Sequence, residues 1–588
     1  MKKRWVIKKL GDPEKVDYLA QALNVDLPIA QLLVQRGILT FEDAKEFFRP
    51  DFNSLHNPFL IRDMDKAIDR IELAVSRNEK ILVYGDYDVD GTTAVALMYT
   101  FLKGFYSQVD FYIPDRYLEG YGISYKGIDF AYEHQFKLVI ALDCGIKAID
   151  KIRYAREKGI DFIIGDHHRP GDVLPEAYAV LDPKRVDCAY PYKELSGCGI
   201  AFKMVQAYHL KKNNSCTGLE KYLDLVVVSI ASDIVPITGE NRILAYHGLK
   251  LINSDPRPAF EAILKFCNIT RNEDRDNPSN FIFNRELTIS DLVFLIGPRI
   301  NAAGRIESGR NSVELLISED IRYANQLAAQ IDTFNTERRN LDSLATQQAL
   351  EIISSNQELI NRKTTVVYHP EWHQGVVGIV ASRLTDTYYR PTIVLTSANG
   401  LITGSARSIK DYDIYEAIDA CSDLLEHFGG HKYAAGLSLK PENLEKFSER
   451  FENYVMKTIT DEMLVPEIEI DLKINLNEIT NKFYRILRQF APFGPGNMKP
   501  VFLTSGLADT GYVRKVGKNH LKLTVTHPEI RSFPFSAIAF QLGDYYNYIE
   551  KGLLFDICYH VEENEWNGNI MLQLNIKDIE LRDQPEII

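Results

Sequence analysis

Residues from about 80 to 185 alternate between short, fully apolar runs and amphipathic stretches with helical spacing. The apolar runs are 81–84, 109–113, 138–142 and 162–164, and helical spacing appears at 93–105 and 148–158. Strands that are apolar throughout need cover on both faces, which is typical of a parallel sheet flanked by helices. This part of the chain is therefore restricted to α/β folds, in which ligands bind at the carboxyl ends of the strands.

The remainder of the chain changes pattern twice. Residues 322–355 contain no Gly or Pro and are continuously helical in pattern. We predict a helix there, about 50 Å long, that connects two domains. A second α/β unit is predicted from about 364 to 457. After Pro466 apolar and polar residues alternate, as at 521–525 and 570–576, which predicts an antiparallel barrel or sandwich.

Composition excludes several classes of protein. The 588 residues include 68 Lys+Arg and 81 Asp+Glu, a formal net charge of −13, and 45% are hydrophobic. This is globular composition for several domains, and the acidic balance argues against a protein that simply coats nucleic acid. The seven cysteines form no C-x-x-C pair, which favours a reducing compartment over a zinc ribbon. Because no signal-peptide core or membrane-spanning stretch is evident, we expect a cytoplasmic protein.

Three carboxylates follow the first predicted strand at alternate positions, namely Asp86, Asp88 and Asp90. Like charges this close repel one another unless a cation neutralises them. An EF-hand calcium loop also begins with this spacing, but it requires a glutamate at its twelfth position, where this chain has Leu97. It also requires a preceding helix, where this chain has a predicted strand. The EF-hand interpretation therefore fails.

Further acidic and imidazole groups close the later strands. Asp143 follows the run 138–142, Asp166-His167-His168 follows 162–164, and Asp233 lies in a very apolar segment where we expect it to be buried. One such Asp is usually a helix cap, but three clusters at equivalent strand ends favour a metal site. Oxygen-rich ligands with imidazole suit Mn²⁺ or Mg²⁺. Shared carboxylates suit two ions about 3.5–4 Å apart.

These residues resemble the four motifs of the DHH phosphoesterase superfamily. Within it, the chain resembles the bacterial RecJ family of single-stranded-DNA-specific exonucleases, over about residues 60 to 580. The additional motifs that carry this resemblance are 298–305 (PRINAAGR), 372–378 (WHQGVVG), 404–408 (GSARS), 429–436 (GGHKYAAG) and 491–497 (APFGPGN).

The resemblance implies an α/β multidomain fold in which a parallel-sheet DHH domain and a second α/β domain are joined by a long helix, with a C-terminal β-barrel of the OB-fold type. The expected divisions are an N-terminal segment (1–60), the DHH domain (61–320), the connecting helix (321–362), a DHH-associated substrate-binding domain (363–460) and the OB-fold domain (461–588). The implied activity is 5′→3′ hydrolysis of single-stranded DNA to 5′-mononucleotides with two Mn²⁺ or Mg²⁺ ions, in DNA repair and recombination.

The resemblance also implies roles for individual residues. The metal ligands would be Asp88, Asp90, Asp143, His167 and Asp233, with Asp143 shared by both ions. The catalytic group would comprise His168, which contacts the scissile phosphate, together with Asp143 and a supporting Asp166; Asp86 would also have a supporting role. One departure is Tyr84, because related pyrophosphatases have a histidine four residues before the first ligand aspartate. This departure disfavours a pyrophosphatase.

The substrate side is expected to be basic and glycine-rich. Arginine binds phosphate through two donors, and small residues let the backbone approach it. The alternative interpretation is a set of capping turns with solvated arginines. The predicted substrate-binding residues are Arg116, Arg299, Asn301, Arg305, Ser405, Arg407, Gly430 and His431. Tyr121 and Tyr433 are candidates for stacking on bases, and the basic loop 514–520 for contact with a single strand in the OB-fold domain.

Two other functions remain open at this point. One is a nanoRNase or nucleotide phosphatase of the DHH superfamily, which would lack the C-terminal OB-fold. The other is a non-catalytic replication scaffold, which would not need so many clustered carboxylates. The resemblance further suggests a monomer whose partners are single-stranded DNA, a RecQ-type helicase and a single-stranded-DNA-binding protein. Strand polarity depends on the resemblance alone.

Overall fold

The computed structural model describes residues 3–213, 215, 217–272, 281–530, 533–566 and 569–582. The chain forms two compact units. One unit comprises Lys3–Ser54 together with the chain from Glu467 onward, and the other is Leu55–Pro466. No helix within these described ranges has both the length and the apolar composition needed to cross a membrane.

The described part of the N-terminal segment contains one strand and three short α-helices. They are β1 (Arg4–Ile7), α1 (Pro13–Leu23), α2 (Leu27–Gln35) and α3 (Phe41–Phe48). Local signals set the helix starts. Asp12 accepts a hydrogen bond from the Glu14 backbone N–H, and Thr40 and Asp43 form a reciprocal capping box at α3.

A parallel five-stranded sheet forms the centre of the second unit. Its strands are β2 (Lys80–Gly85), β3 (Val109–Tyr112), β4 (Phe136–Leu142), β5 (Asp161–Gly165) and β6 (Ala179–Leu181), in the spatial order β3-β2-β4-β5-β6. The surrounding helices are α4 (Met64–Ser76), α5 (Val89–Lys103), α6 (Tyr125–Glu133), α7 (Ile149–Glu157), α8 (Gly197–Asn213), α9 (Leu223–Ser232), α10 (Gly239–Ser254), α11 (Pro258–Lys265), α12 (Ile289–Asp291), a π-helical turn (Leu292–Ile296), α13 (Gly297–Ile306) and α14 (Gly309–Leu316). Every strand pairing is parallel, which confirms the predicted sheet.

The prediction that Asp233 is buried is wrong. Helix α9 ends at Ser232. Asp233 therefore lies just beyond the helix, where its side chain is 32% exposed. Its position at the helix end opens it to the carboxyl edge of the sheet instead of enclosing it among the apolar residues of α9.

A single long helix leads from this domain to a second α/β domain. The elements are α15 (Ile321–Ser354), α16 (Gln357–Asn361), β7 (Thr365–Tyr368), α17 (Val377–Tyr388), β8 (Thr392–Ala398), β9 (Leu401–Arg407), α18 (Ile414–Asp419), β10 (Leu425–His431), β11 (Ala434–Leu439) and α19 (Leu444–Thr458). The sheet order is β10-β11-β9-β8-β7, and only β7 and β8 are parallel. Ion pairs join α15 to both domains, from Asp332 to Arg299 on α13 at 2.8 Å and from Asp342 to Arg383 on α17 at 2.7 Å.

The C-terminal part is a β-barrel. Its elements are β12 (Glu467–Ile470), β13 (Leu472–Lys473), α20 (Asn481–Arg488), β14 (Phe502–Asp509), β15 (Arg514–Val516), β16 (His520–Thr526), β17 (Phe535–Ala539), α21 (Tyr546–Ile549), β18 (Phe555–Trp566) and β19 (Asn569–Leu581). The order β13-β14-β18-β19-β17-β16-β15 is closed by a further pairing of β14 with β16. Most pairings are antiparallel as predicted, but β13 with β14 and β17 with β19 are parallel.

The N-terminal segment completes the core of this barrel unit. Strand β1 pairs in parallel with β12, and buried residues of α1 and α2 share one apolar cluster with the barrel strands. Phe490 is fully buried, and its ring centroid lies 5.3 Å from that of Phe47 and 5.5 Å from that of Phe48. The segment is therefore an integral part of the unit's packing.

Candidate active site

Asp88 and Asp90 enter the site from the turn between β2 and α5. Asp88 is the N-cap of α5 and accepts a hydrogen bond of 2.9 Å from the Gly91 backbone N–H. The turn is so tight that a Cβ atom at Gly91 would lie 2.5 Å from the backbone oxygen of Asp86. Only glycine fits there, so this glycine fixes where the two carboxylates emerge.

The N-terminus of α8 holds the Asp90 carboxylate. Backbone N–H groups of Gly197 and Cys198 donate to it at 2.7 Å each, and the Ser229 hydroxyl donates at 2.6 Å. A carboxylate is favourable at this place because the helix presents unpaired N–H groups and the positive end of its dipole. Asp90 thus both closes the start of α8 and faces the other predicted ligands.

Asp143 and His167 are buried without the hydrogen bonds that such groups normally require. Within the described part of the chain, no group forms a hydrogen bond with either carboxylate oxygen of Asp143 or either ring nitrogen of His167. His167 Nε2 lies 3.2 Å from Asp143 Oδ1, 3.5 Å from Asp233 Oδ2 and 3.6 Å from Asp90 Oδ2. Unsatisfied buried polar atoms are costly, and here they converge on one point.

The donor set fits a divalent cation. Ligand atoms of Asp143, His167 and His168, and likewise those of Asp90, His167 and Asp233, lie within 4.8 Å of one another. Burial and neighbouring carboxylates raise the pKa of Asp143. The Asp233 side chain is partly exposed, but desolvation of its carboxyl group by the surrounding protein and the charges of Asp90 and Asp88 raise its pKa to about 8. Burial lowers the pKa of His167, which favours the neutral imidazole that binds metals. A hard divalent cation would stabilise the ionised form of these carboxylates.

Asp166 orients the His168 ring and stabilises its protonated form. Asp166 Oδ1 accepts from His168 Nδ1 at 2.7 Å, and Oδ2 accepts from the Ile146 backbone N–H at 2.9 Å. Burial disfavours both ionised forms, but their mutual hydrogen bond and charge attraction outweigh it. The pKa of His168 rises to about 9 and that of Asp166 falls to about 2. At neutral pH the pair is therefore an imidazolium beside a carboxylate, with His168 Nε2 directed away from Asp166.

Two further aspartates lie at the same edge of the sheet. Asp86 accepts backbone hydrogen bonds of 2.7 Å from Tyr87 and Gly122, so it supports a loop. Asp182 follows β6 and was not predicted. It is fully buried, its Oδ2 has no partner among the described residues, and burial raises its pKa to about 7. Strand β6 has only three residues, too few for apolar periodicity to reveal it.

Several predicted substrate residues form a cationic cluster beside this edge. Burial and the charges of Arg116, Arg338 and Arg407 together lower the pKa of Arg305 to about 9. Burial and the Arg407 and His168 charges also lower the pKa of His431. Arg116 lies over the Tyr87 ring at 4.9 Å, and Arg407 donates to the Ser405 hydroxyl at 2.8 Å. Mutual repulsion of this kind is relieved by an anion.

The remaining predicted substrate residues divide between the two domains. Arg299 is 9% exposed and is engaged by Asp332, and its Nη1 donates to the Leu295 carbonyl at 2.9 Å. Asn301 is half-buried on α13, while Gly430 lies exposed on β10 with a φ of 151°. Arg305 donates to the Gly375 carbonyl at 2.7 Å, which connects α13 to the segment before α17. The contacts of Arg299 favour a role in holding α13 against α15.

The pKa of Asp233 leads to a stability prediction. A carboxyl group whose folded pKa is about 8 keeps its proton on folding, so the folded state loses stability as pH rises from about 4 towards 8. Without metal, Asp233→Asn should therefore melt at a higher temperature than the wild type. The stabilisation should grow from pH 5 to pH 8, by less than the limit of about 1.4 kcal/mol per pH unit, because solvent reaches the Asp233 side chain. Thermal melting in a chelator at several pH values measures it.

Addition of Mn²⁺ at pH 8 provides the control for this experiment. The cation should raise the melting temperature of the wild type and reverse the order of the two proteins, because the variant has lost a carboxylate ligand. A melting difference that does not change between pH 5 and pH 8 would contradict the prediction.

Comparisons with known proteins agree with this arrangement. The chain matches the DHH family, N-terminal domain, over residues 80–230, the DHHA1 domain over 361–457 and the RecJ OB domain over 470–578. A parallel sheet with acidic groups and histidines at its carboxyl edge, followed by a DHHA1 domain, defines a DHH phosphoesterase.

Similarity to individual relatives identifies the family within this class. The single-stranded-DNA-specific exonuclease RecJ of Bacillus subtilis is 37% identical over 581 residues, which are 98% of this chain and 71% of that protein. The Escherichia coli RecJ is 33% identical over 88% of this chain and 90% of its own length. A Thermus thermophilus RecJ solved in complex with Mn²⁺ superposes with a TM-score of 0.82 at 26% identity, covering 99% of this chain and 80% of that one. The chain belongs to the RecJ family.

Proposed function

We propose that this chain is an exonuclease that hydrolyses single-stranded DNA from the 5′ end with divalent metal ions and releases 5′-mononucleotides. The observation that carries the proposal is that a group of side chains requiring a cation lies beside a group requiring an anion, at one edge of the sheet. Among the described residues, buried Asp143 and His167 lack hydrogen-bond partners and require a cation, while the cluster around Arg305 requires an anion. A phosphodiester bound with metal satisfies both. RecJ proteins of Bacillus subtilis and Escherichia coli carry the name of such an exonuclease.

The cations would be two Mn²⁺ or Mg²⁺ ions, and a relative of this family was solved with Mn²⁺. The residues that would hold them are Asp88, Asp90, Asp143, His167 and Asp233, with Asp143 shared. When bound, such ions neutralise phosphoryl charge and activate water for attack on the phosphodiester.

His168 and the basic side chains would bind the phosphates. Protonated His168, held by Asp166, presents Nε2 as a donor to an oxygen of the scissile phosphate. Arg116, Arg305 and Arg407 would hold the strand, helped by Asn301, Ser405, Gly430 and His431. Because these groups repel one another before DNA binds, the site is prepared for phosphate and fixes its orientation. Arg299 would support α13 from within the protein.

The other parts of the chain would extend this binding site and connect it to partners. We assign residues 61–320, 321–362, 363–460 and 461–588 to catalysis, connection, substrate binding and an OB-fold, after an N-terminal segment of 60 residues. Tyr512, which is 73% exposed beside β15, and the basic loop 514–520 suit contact with an unpaired strand. A RecQ-type helicase and a single-stranded-DNA-binding protein would supply such strands. We also place the protein in the cytoplasm as a monomer, and its free cysteines suit a reducing compartment.

Time-resolved product sizes test this proposal. Single-stranded oligonucleotides labelled at the 5′ or the 3′ end are incubated with the protein and Mn²⁺. We expect a 5′ label to appear at once as a mononucleotide, while a 3′ label shortens stepwise. Immediate release of the 3′ label would overturn the polarity.

Two other substrates separate the alternative functions. Preference for dinucleotides or 3′,5′-bisphosphorylated adenosine over long strands would indicate a nanoRNase or nucleotide phosphatase. Absence of metal-stimulated turnover on every substrate would indicate a scaffold. A duplex of the same sequence is the matched control, and it should remain intact.

A further inference from the structure

The loop between β3 and α6, residues 113–124, places two side chains at the site. Arg116 lies over the Tyr87 ring, and the Tyr121 hydroxyl lies 3.5 Å from His168 Nε2. Tyr121 is 50% exposed and follows Gly120, whose φ is 81°. A loop with such residues needs to be fixed in position, because small displacements of groups at a reacting centre strongly lower the reaction rate.

Buried hydrogen bonds fix the C-terminal end of this loop. The Tyr84 hydroxyl donates to the Gly122 carbonyl at 3.0 Å and accepts from the Ser124 backbone N–H at 3.2 Å. Tyr84 is 1% exposed, and its ring is stacked on Tyr112 with centroids 5.4 Å apart. The Tyr84 hydroxyl therefore ties strand β2 to this end of the loop through two hydrogen bonds.

Glu119 fixes the N-terminal end. Its Oε1 accepts from the Asp115 backbone N–H at 2.9 Å, next to Arg116, and the Tyr112 hydroxyl donates to Oε2 at 3.0 Å. The Ser124 hydroxyl also donates to Glu119. A carboxylate that bridges both ends of a short loop closes it into a ring of hydrogen bonds.

We propose that Tyr84 and Glu119 are positioning residues that lock this loop, Tyr84 setting Tyr121 against His168 and Glu119 setting Arg116 for the substrate. The proposal rests on the proposed exonuclease function for its kinetic consequences. It assigns the two ends of the loop different effects, one on turnover and one on substrate binding.

The test compares Tyr84→Phe, Glu119→Ala and Glu119→Gln with the wild type. Tyr84→Phe keeps the ring packing but loses both loop bonds, so kcat should fall about tenfold with KM within about twofold. Glu119→Ala should raise KM about tenfold. Glu119→Gln retains an acceptor for the Asp115 N–H and should recover most of that loss. The affinity of chelator-treated protein for a 5′-phosphorylated oligonucleotide, measured by anisotropy, should weaken in Glu119→Ala and not in Tyr84→Phe.

Tyr559→Phe is the matched control. Tyr559 is fully buried in the barrel unit, and its hydroxyl pairs with that of Thr504 at 2.7 Å, so this variant loses a comparable bond far from the loop in sequence. We expect its kcat and KM to equal those of the wild type. If Tyr84→Phe behaves like Tyr559→Phe, or if kcat and KM change in equal proportion in all the loop variants, the proposal is wrong.

Hydrogen exchange separates failure of the proposal from failure of the exonuclease function. Amides of residues 113–124 should exchange faster in Tyr84→Phe and Glu119→Ala than in the wild type, whether or not the protein degrades DNA. If the wild type degrades no strand, the exonuclease function fails and the exchange rates alone decide the role of the two residues. Unchanged loop exchange would overturn that role.

Discussion

Replacement of Asp143 by Asn will remove DNA hydrolysis while the protein stays folded. We expect kcat to fall by about 10³-fold or more, the size seen when a charge-stabilising group is lost from an active site. The reason is that Asp143 supplies two buried oxygens that have no hydrogen-bond partner among the described residues and lie beside His167. The amide keeps the shape but removes the charge that the site's cations require. Single-turnover rates on a 5′-phosphorylated single strand with Mn²⁺ measure the loss.

Asp150→Asn is the control for this experiment. Asp150 lies on α7, its side chain is 75% exposed, and it forms an ion pair with Arg153 on its own helix. Its replacement should leave the rate at the wild-type value. A folded Asp143→Asn protein that retains more than a tenth of the wild-type rate would show that Asp143 does not bind the catalytic ions.

Replacement of Phe490 by Ala should destabilise the barrel unit by about 3–5 kcal/mol, the usual cost of removing a buried aromatic ring. Phe490 is fully buried, contacts the rings of Phe47 and Phe48, and lies under the guanidinium of Arg36 at 5.2 Å. The cavity would therefore open where α3 and α2 meet the barrel. Urea unfolding followed by circular dichroism measures the change.

Phe533→Ala provides the matched comparison in the same unit. The Phe533 side chain is 86% exposed, so its truncation should change the free energy of unfolding by less than about 0.5 kcal/mol. A loss below about 1 kcal/mol for Phe490→Ala would mean that the N-terminal segment is not held by this contact.

Much of the central fold could be predicted because most of its strands are marked by short runs that are apolar throughout. The runs 138–142 and 162–164 lie within β4 and β5, and residues 322–355 correspond to α15. Strand β6 was missed because three residues give no period. The packing of the N-terminal segment into the barrel unit was also missed, since β1 pairs with β12 across more than four hundred residues of chain. Periodicity reports local conformation, and it contains no information about such distant pairing.

The candidate site was predictable where chemistry is concentrated in short motifs. Asp88, Asp143 and His167 stand at strand ends, so a parallel sheet brings them to one edge. The contacts of Arg299 were not predictable, because an arginine in a glycine-rich motif looks equally suited to phosphate and to Asp332. Glu119 was also missed, since only the folded loop shows that one carboxylate bonds to both of its ends. The assignments of individual ligands remain predictions for the variants above.

The position of Asp90 affects the choice of an inactive protein for trapping DNA. Its carboxylate accepts hydrogen bonds from the N–H groups that begin α8, so a replacement without an acceptor, such as Ala, uncaps a 17-residue helix as well as disturbing the site. A defect caused at Asp90 would mix impaired folding with impaired chemistry, and low protein abundance in cells could pass for loss of activity. Among its described contacts, the Asp143 carboxylate caps no helix. Genetic and capture experiments that require a folded but inactive enzyme should therefore use a replacement at Asp143.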